Sequence, residues 1–266
     1  MRDLIRVYRA LLRVGWELML EYRAQALLWI LSFVFPLVMM NVWLAVVDEA
    51  GPLAGWGRSD FIAYYVAAAL FNYLTAAWVL WDWDEDIRTG SLSVKLLKPI
   101  DPFHYLLTNE LGWKVFILVV MGPLVALAAW LSPEIDYPLT AESLLAVAAS
   151  AVTGFALNLM MSTSFAMMSF WSTQTKNFYQ LVFGLGQFLS GWIAPLALFP
   201  DTIRHVATLT PFRYTLSFPL EILMGRLSGS EIALGFAVTA IWLISFTIVY
   251  RVFWRLGVKR YEAVGA

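Results

Sequence analysis

The densest run of ionisable side chains in this 266-residue chain is Asp82, Asp84, Glu85 and Asp86. Carboxylates can hold a divalent cation, but this run lacks the glycine turn and ligand spacing of a calcium loop. It reads instead as a solvated face or as a salt-bridge patch for a partner. Other reactive chemistry is sparse. With no cysteine there is no disulfide framework, thiolate metal site or cysteine nucleophile. His104 and His205 lie far apart and are a poor start for a metal cage. The chain holds no Gly-x-x-x-x-Gly-Lys-[Ser/Thr] and no His-Glu-x-x-His, so neither a P-loop nor that protease signature is present. Neither histidine falls in a long apolar stretch, which removes the partner that an intramembrane serine nucleophile needs. No catalytic residue and no metal ligand is therefore expected, nor any cofactor held by the chain itself.

What could position any site is an apolar scaffold. Hydrophobic residues make up 61% of the chain and charged ones 14%, with a mean hydropathy of +0.71. Soluble domains run nearer 45–50% and about 25%. Lipid must solvate much of the outer surface. Six charge-free stretches are candidate spans: 24–47, 61–81, 115–133, 143–171 (its charge-free window runs on to 175), 177–200 and 232–250. The first is longer than a signal-peptide core, and no small-residue cleavage site follows it, so it reads as a retained helix. Residues 1–266 then form a single transmembrane domain. The fold expected is an all-α polytopic membrane protein with six transmembrane helices.

Fourteen of the 18 Lys and Arg fall on one side when the N-terminus is placed inside. The positive-inside rule then makes both termini cytoplasmic. Net charge is −1, and no basic run is interleaved with aromatics, so no nucleic-acid partner is expected.

Three segments are not spans. In 1–22, Arg2, Arg6, Arg9 and Arg13 share one helical face and apolar residues fill another, as in an amphipathic helix lying in the inner interface against membrane lipid. In the cytoplasmic loop 82–114, Gly90 can end one helix. Leu92, Leu96 and Leu97 then repeat at helical spacing until Pro99 and Pro102 stop them. That short helix needs something to pack on, either the membrane surface or a soluble subunit. The outer segment 201–231 is apolar but interrupted by Pro211 and Pro219, and it reads as one or two short helices that dip into the outer leaflet or lie on it.

The spans as counted hold no ionisable group, which argues against a proton relay. Their polar residues are uncharged. Among them Asn41, Asn158 and Ser162 either bond helix to helix or line a translocation path.

Three stretches together resemble the permease subunits of type-2 ABC exporters, in a bacterial six-span branch. They are Asp86-Ile87-Arg88-Thr89-Gly90-Ser91-Leu92 leading to Leu96-Leu97-Lys98-Pro99, then Leu189-Ser190-Gly191 with Pro195-Leu196 and Phe199-Pro200, and lastly Pro211-Phe212-Arg213-Tyr214 with Pro219 and Gly225. The resemblance covers nearly the whole chain. It implies a coupling helix within 82–114, with Asp86, Arg88, Gly90, Leu92 and Leu96 contacting the ATPase. It also implies outer re-entrant helices carrying Pro211, Phe212, Tyr214 and Pro219, and an N-terminal helix that touches the ATPase. Two copies of a separate ABC ATPase would supply ATP and Mg chemistry. A second permease chain, identical or different, would complete the path, in a bacterial plasma (inner) membrane. The acidic stretch 82–86 is denser than that family's single acid.

The expected function is thus the membrane subunit of an ATP-driven exporter for a lipid-like or amphipathic substrate. A non-transporting anchor that recruits a cytoplasmic protein through the same loop, or an ion-coupled carrier, are the alternatives.

Overall fold

The computed structural model describes residues 34–261 together with Tyr8 and Arg13. The expected interfacial helix 1–22 lies outside the described residues apart from those two, as does the first part of span 24–47. Every described element is helical: α1 Val34–Ala50, α2 Arg58–Thr75, α3 Val79–Thr89, α4 Leu92–Leu96, α5 Pro102–Leu131, α6 Ala141–Ala166, α7 Thr175–Leu189, α8 Asp201–Leu209, α9 Ser217–Leu223 and α10 Gly229–Arg260. Short 3-10 turns sit at Met167–Phe170, Leu196–Leu198 and Phe212–Thr215.

Four stretches are long and apolar enough to cross a membrane: Arg58–Thr89, Pro102–Leu131, Ala141–Phe170 and Gly229–Arg260, of 30 to 32 residues each. Their starts follow from local chemistry. Asp101 accepts the Phe103 N–H ahead of Pro102, and Thr140 with Ser143 and Ser228 with Glu231 form reciprocal caps.

The structure departs from the charge-free windows in four places. The helix expected over 61–81 is broken, with α2 ending at Thr75 and α3 starting at Val79. The expected loop 82–114 is mostly helix: α3 continues to Thr89, and α5 begins at Pro102 rather than at 115. The windows stopped at charges, and a helix end can carry charges once they are paired. Glu110 and Lys114 therefore lie inside α5, which corrects the expectation that the spans are free of ionisable groups. The helix expected over 177–200 ends at Leu189 after 15 residues. Gly191 there takes φ +89°, a left-handed conformation, and its carbonyl accepts the Tyr64 hydroxyl at 2.7 Å.

Two large hydrophobic cores lie along the bundle, beside a small third of Ala69, Ile117 and Met121. One is built on Phe61, Tyr64, Tyr65, Trp56 and Leu157, closed by Tyr214, Leu216, Phe218 and Leu220 of the segment before α10. The other gathers Val79, Leu80, Trp83, Leu92, Leu106, Met167 and Tyr179, with Trp254 and Tyr261 from the end of α10 packed against it. The break between α2 and α3 falls between them. Within the segment 201–231, residues 214–220 and Ile222 are buried, Leu220 fully, whereas 201–206 are exposed.

Candidate functional site

Backbone groups freed by a helix break must find partners, because a bundle interior offers little water. At Ala76–Trp78 three side chains provide them. Asn158 of α6 donates to the Thr75 carbonyl at 2.9 Å. Lys114 donates to the Ala76 carbonyl at 2.5 Å. Glu110 accepts the Trp78 N–H at 2.8 Å. Lys114 and Glu110 are themselves paired at 3.3 Å, one turn apart on α5, and both are nearly buried. The Lys114 ammonium also lies 5.1 Å from the Phe155 ring centre. A small cavity of about 50 Å³ opens beside the break, between α2, α6, α7 and residues 212–216. Asn72, Asn158, Gln187 and Ser190 give it a polar wall, and Trp78 and Phe212 an aromatic one.

Of the residues assigned to a path, the cavity wall thus includes Asn158. Ser162 is fully buried on the same helix. Asn41 is exposed on α1 and donates to its own Leu37 carbonyl at 2.7 Å. The structure does not bring Asn41 together with the other two.

The residues assigned to coupling gather at the opposite side of the break. Asp84 is 1% exposed and is the hub. It accepts from Arg88 at 2.8 Å and Ser169 at 2.7 Å, and pairs with Lys176 at 3.1 Å. Arg88 also donates to the Ser172 carbonyl. The end of α3 is thereby tied to the end of α6 and the start of α7.

Asp86 fastens α4 onto α3. Its carboxylate accepts the Ser91 hydroxyl at 2.8 Å and binds the Lys95 ammonium. Gly90, at φ +80°, makes the turn between the two helices that a side chain would strain. Leu92 is fully buried below, whereas Val94 and Leu97 are 60% and 87% exposed, and Leu96 is partly so. The short helix is therefore clamped by charge on one face and offers an apolar face outward. Its second anchor is the Ser93 hydroxyl against Tyr261 at 3.2 Å. Tyr8 bonds His104 at 2.6 Å at the same end.

At the far end, Phe212 covers Gly186 so closely that an added methyl would lie 2.7 Å from its ring. Arg213 pairs with Glu221 at 2.6 Å. Burial pushes the Glu221 carboxyl up, while Arg213 pulls it back. The Tyr214 hydroxyl donates to the Thr208 carbonyl, and Pro219 is buried in α9. These residues build and brace the first core. No cluster of His, Asp and Glu able to hold a metal occurs among the described residues.

Sequence reasoning missed Glu110, Lys114 and the hub role of Asp84. The i,i+4 spacing of Glu110 and Lys114 was the signal available for the first two.

A family model described as an ABC-2 family transporter protein matches residues 33–265. No curated protein matches the chain.

Proposed function

The chain belongs to the ABC-2 transporter family, and from that premise we propose that it is the membrane-spanning permease subunit of an ATP-driven exporter. A separate ABC ATPase binds the apolar face of α4 and supplies ATP and Mg chemistry. Two ATPase copies serve two permease chains, alike or different, in a bacterial plasma membrane with both termini cytoplasmic. The cargo is lipid-like or amphipathic, in keeping with helices whose polar residues are mostly uncharged.

One observation carries this reading. Val94 and Leu97 are held out toward solvent on a helix whose other face is pinned by Asp86 and Leu92. An exposed apolar face on a rigid five-residue helix favours a protein partner. When the ATPase closes, it pushes α4. The Asp86 and Asp84 clusters then carry that motion into α3, α6 and α7 together. The break at Ala76–Trp78 lets the α3 side rotate against α2, and the path opens toward the 201–231 segment.

The test is co-purification from the native membrane. A P-loop ATPase in equal stoichiometry is the expected companion, and Leu97→Asp should release it while leaving the permease folded. Recovery of the chain alone, or with a protein lacking a P-loop, overturns the reading in favour of a membrane anchor. A second reading, an ion-coupled carrier, draws on the buried Glu110–Lys114 pair. Flux driven by a proton gradient after ATP depletion would support it.

A further inference from the structure

Between α2, α3 and α5 lies a larger cavity, of about 570 Å³, which falls in the range of small-molecule sites (roughly 300–1,000 Å³). Its apolar wall is aromatic: Tyr73, Trp78, Trp81 and Trp113. The Trp78 and Trp81 rings stand 5.4 Å apart, tilted by 49°. Tryptophans at one level are also what a membrane interface selects. What distinguishes a binding cleft from a belt is recessed volume and fixed charge, and this half-open cavity has both.

The charges are unequal. Glu110 and Lys114 neutralise each other and are engaged by the helix break. That leaves Asp82, which forms no hydrogen bond or ion pair among the described residues. It is partly buried, with Asp86 and Glu85 nearby and Lys95 as the nearby cation. Lys95 is itself paired with Asp86.

A second cavity of about 340 Å³ adjoins the first. Asp82 and Asn109 line both. Its further walls carry Glu85, Asp86, Ser91 and Lys95 beside Tyr105 and Leu106. The aromatic chamber and the acidic chamber therefore meet at Asp82.

We infer that this pair of chambers binds a lipophilic monocation, its positive charge at Asp82 and its apolar body against Trp78, Trp81 and Trp113. The aromatic faces attract the cation through their quadrupoles, and Asp82 supplies the counter-charge. An anion of the same shape is repelled, and a neutral hydrocarbon gains nothing from Asp82. The site is a property of this chain alone, so it holds or fails independently of ATPase partnership.

The experiment is equilibrium binding of radiolabelled tetraphenylphosphonium to the full chain in phosphatidylcholine nanodiscs, with empty discs subtracted. Saturable binding of one cation per chain is expected. Asp82→Asn should weaken it about tenfold or more, and Trp81→Ala about fivefold, whereas Asp82→Glu stays within about threefold of the wild type. Radiolabelled tetraphenylborate, measured separately, should show no saturable binding. Because Asp82 makes no hydrogen bond among the described residues, Asp82→Asn removes charge without removing a structural contact, and Asp82→Glu controls for folding. Absence of saturable binding by the wild type, equal affinity of Asp82→Asn, or saturable binding of tetraphenylborate alone overturns the inference.

Discussion

Replacing Lys114 by methionine tests whether the buried charges in α5 exist to hold the helix break. The substitution leaves the Glu110 carboxylate, 5% exposed, without its counter-ion, and the Ala76 carbonyl without a donor. Breaking a buried pair from one side costs about 3–5 kcal/mol. Glu110→Gln is the mirror experiment. The amide oxygen can still accept the Trp78 N–H, but the Lys114 ammonium, 12% exposed, loses its partner, at about 3 kcal/mol. The double variant contains neither charge. It leaves one carbonyl unpaired, worth about 1–3 kcal/mol. The double should therefore be more stable than Lys114→Met alone, with a coupling of about 2 kcal/mol or more between the two positions. Reversible unfolding in mixed micelles, followed by tryptophan fluorescence, reads each stability. A double variant as unstable as the sum of the singles would refute the argument that the two charges act as a unit.

Three further outcomes follow from named contacts. Gly191→Ala forces a side chain into a left-handed backbone and places its methyl 2.5 Å from Ser217 Oγ and the Tyr64 hydroxyl, so a loss above about 2 kcal/mol and poor membrane yield are expected. Asp84→Asn weakens the tie between α3, α6 and α7. It should cost about 1–3 kcal/mol by the same unfolding assay, less than a fully buried pair because Arg88 and Lys176 remain 32% and 41% exposed. Arg88→Glu sets a like charge against Asp84, and unchanged ATPase stimulation in the reconstituted complex would show that Arg88 takes no part in coupling.

Composition and charge placement were enough to read an all-helical membrane protein, because lipid-facing helices need apolar residues whatever their tertiary contacts. Gly191 lay hidden inside the charge-free stretch 177–200, and Gly90 was readable as a turn, since it marks a left-handed position. The break at Ala76–Trp78 was not. Its sequence, Thr-Ala-Ala-Trp, contains neither glycine nor proline, and it is sustained by partners from α5 and α6 that are remote in the chain. Windows that stop at charges hid Glu110 and Lys114 for the same reason, because what makes those charges tolerable is a contact rather than a composition. Among the polar residues, Asn158 could be noticed, but its partner could not. Asn41 looked equivalent and proved to bond only its own helix.

The second core has a consequence for how the chain is made. Its walls come from residues near 80, near 106 and near 167, yet Trp83 stacks edge-on against Trp254, and Tyr261 touches both Phe170 and Ser93. A nascent chain that has emerged only as far as α9 already holds most of the first core, while the inner one still lacks its closing side. The surface of α4 therefore becomes fully braced only after the last turn of α10 is delivered, so a truncated chain would present its partner with an unfinished dock.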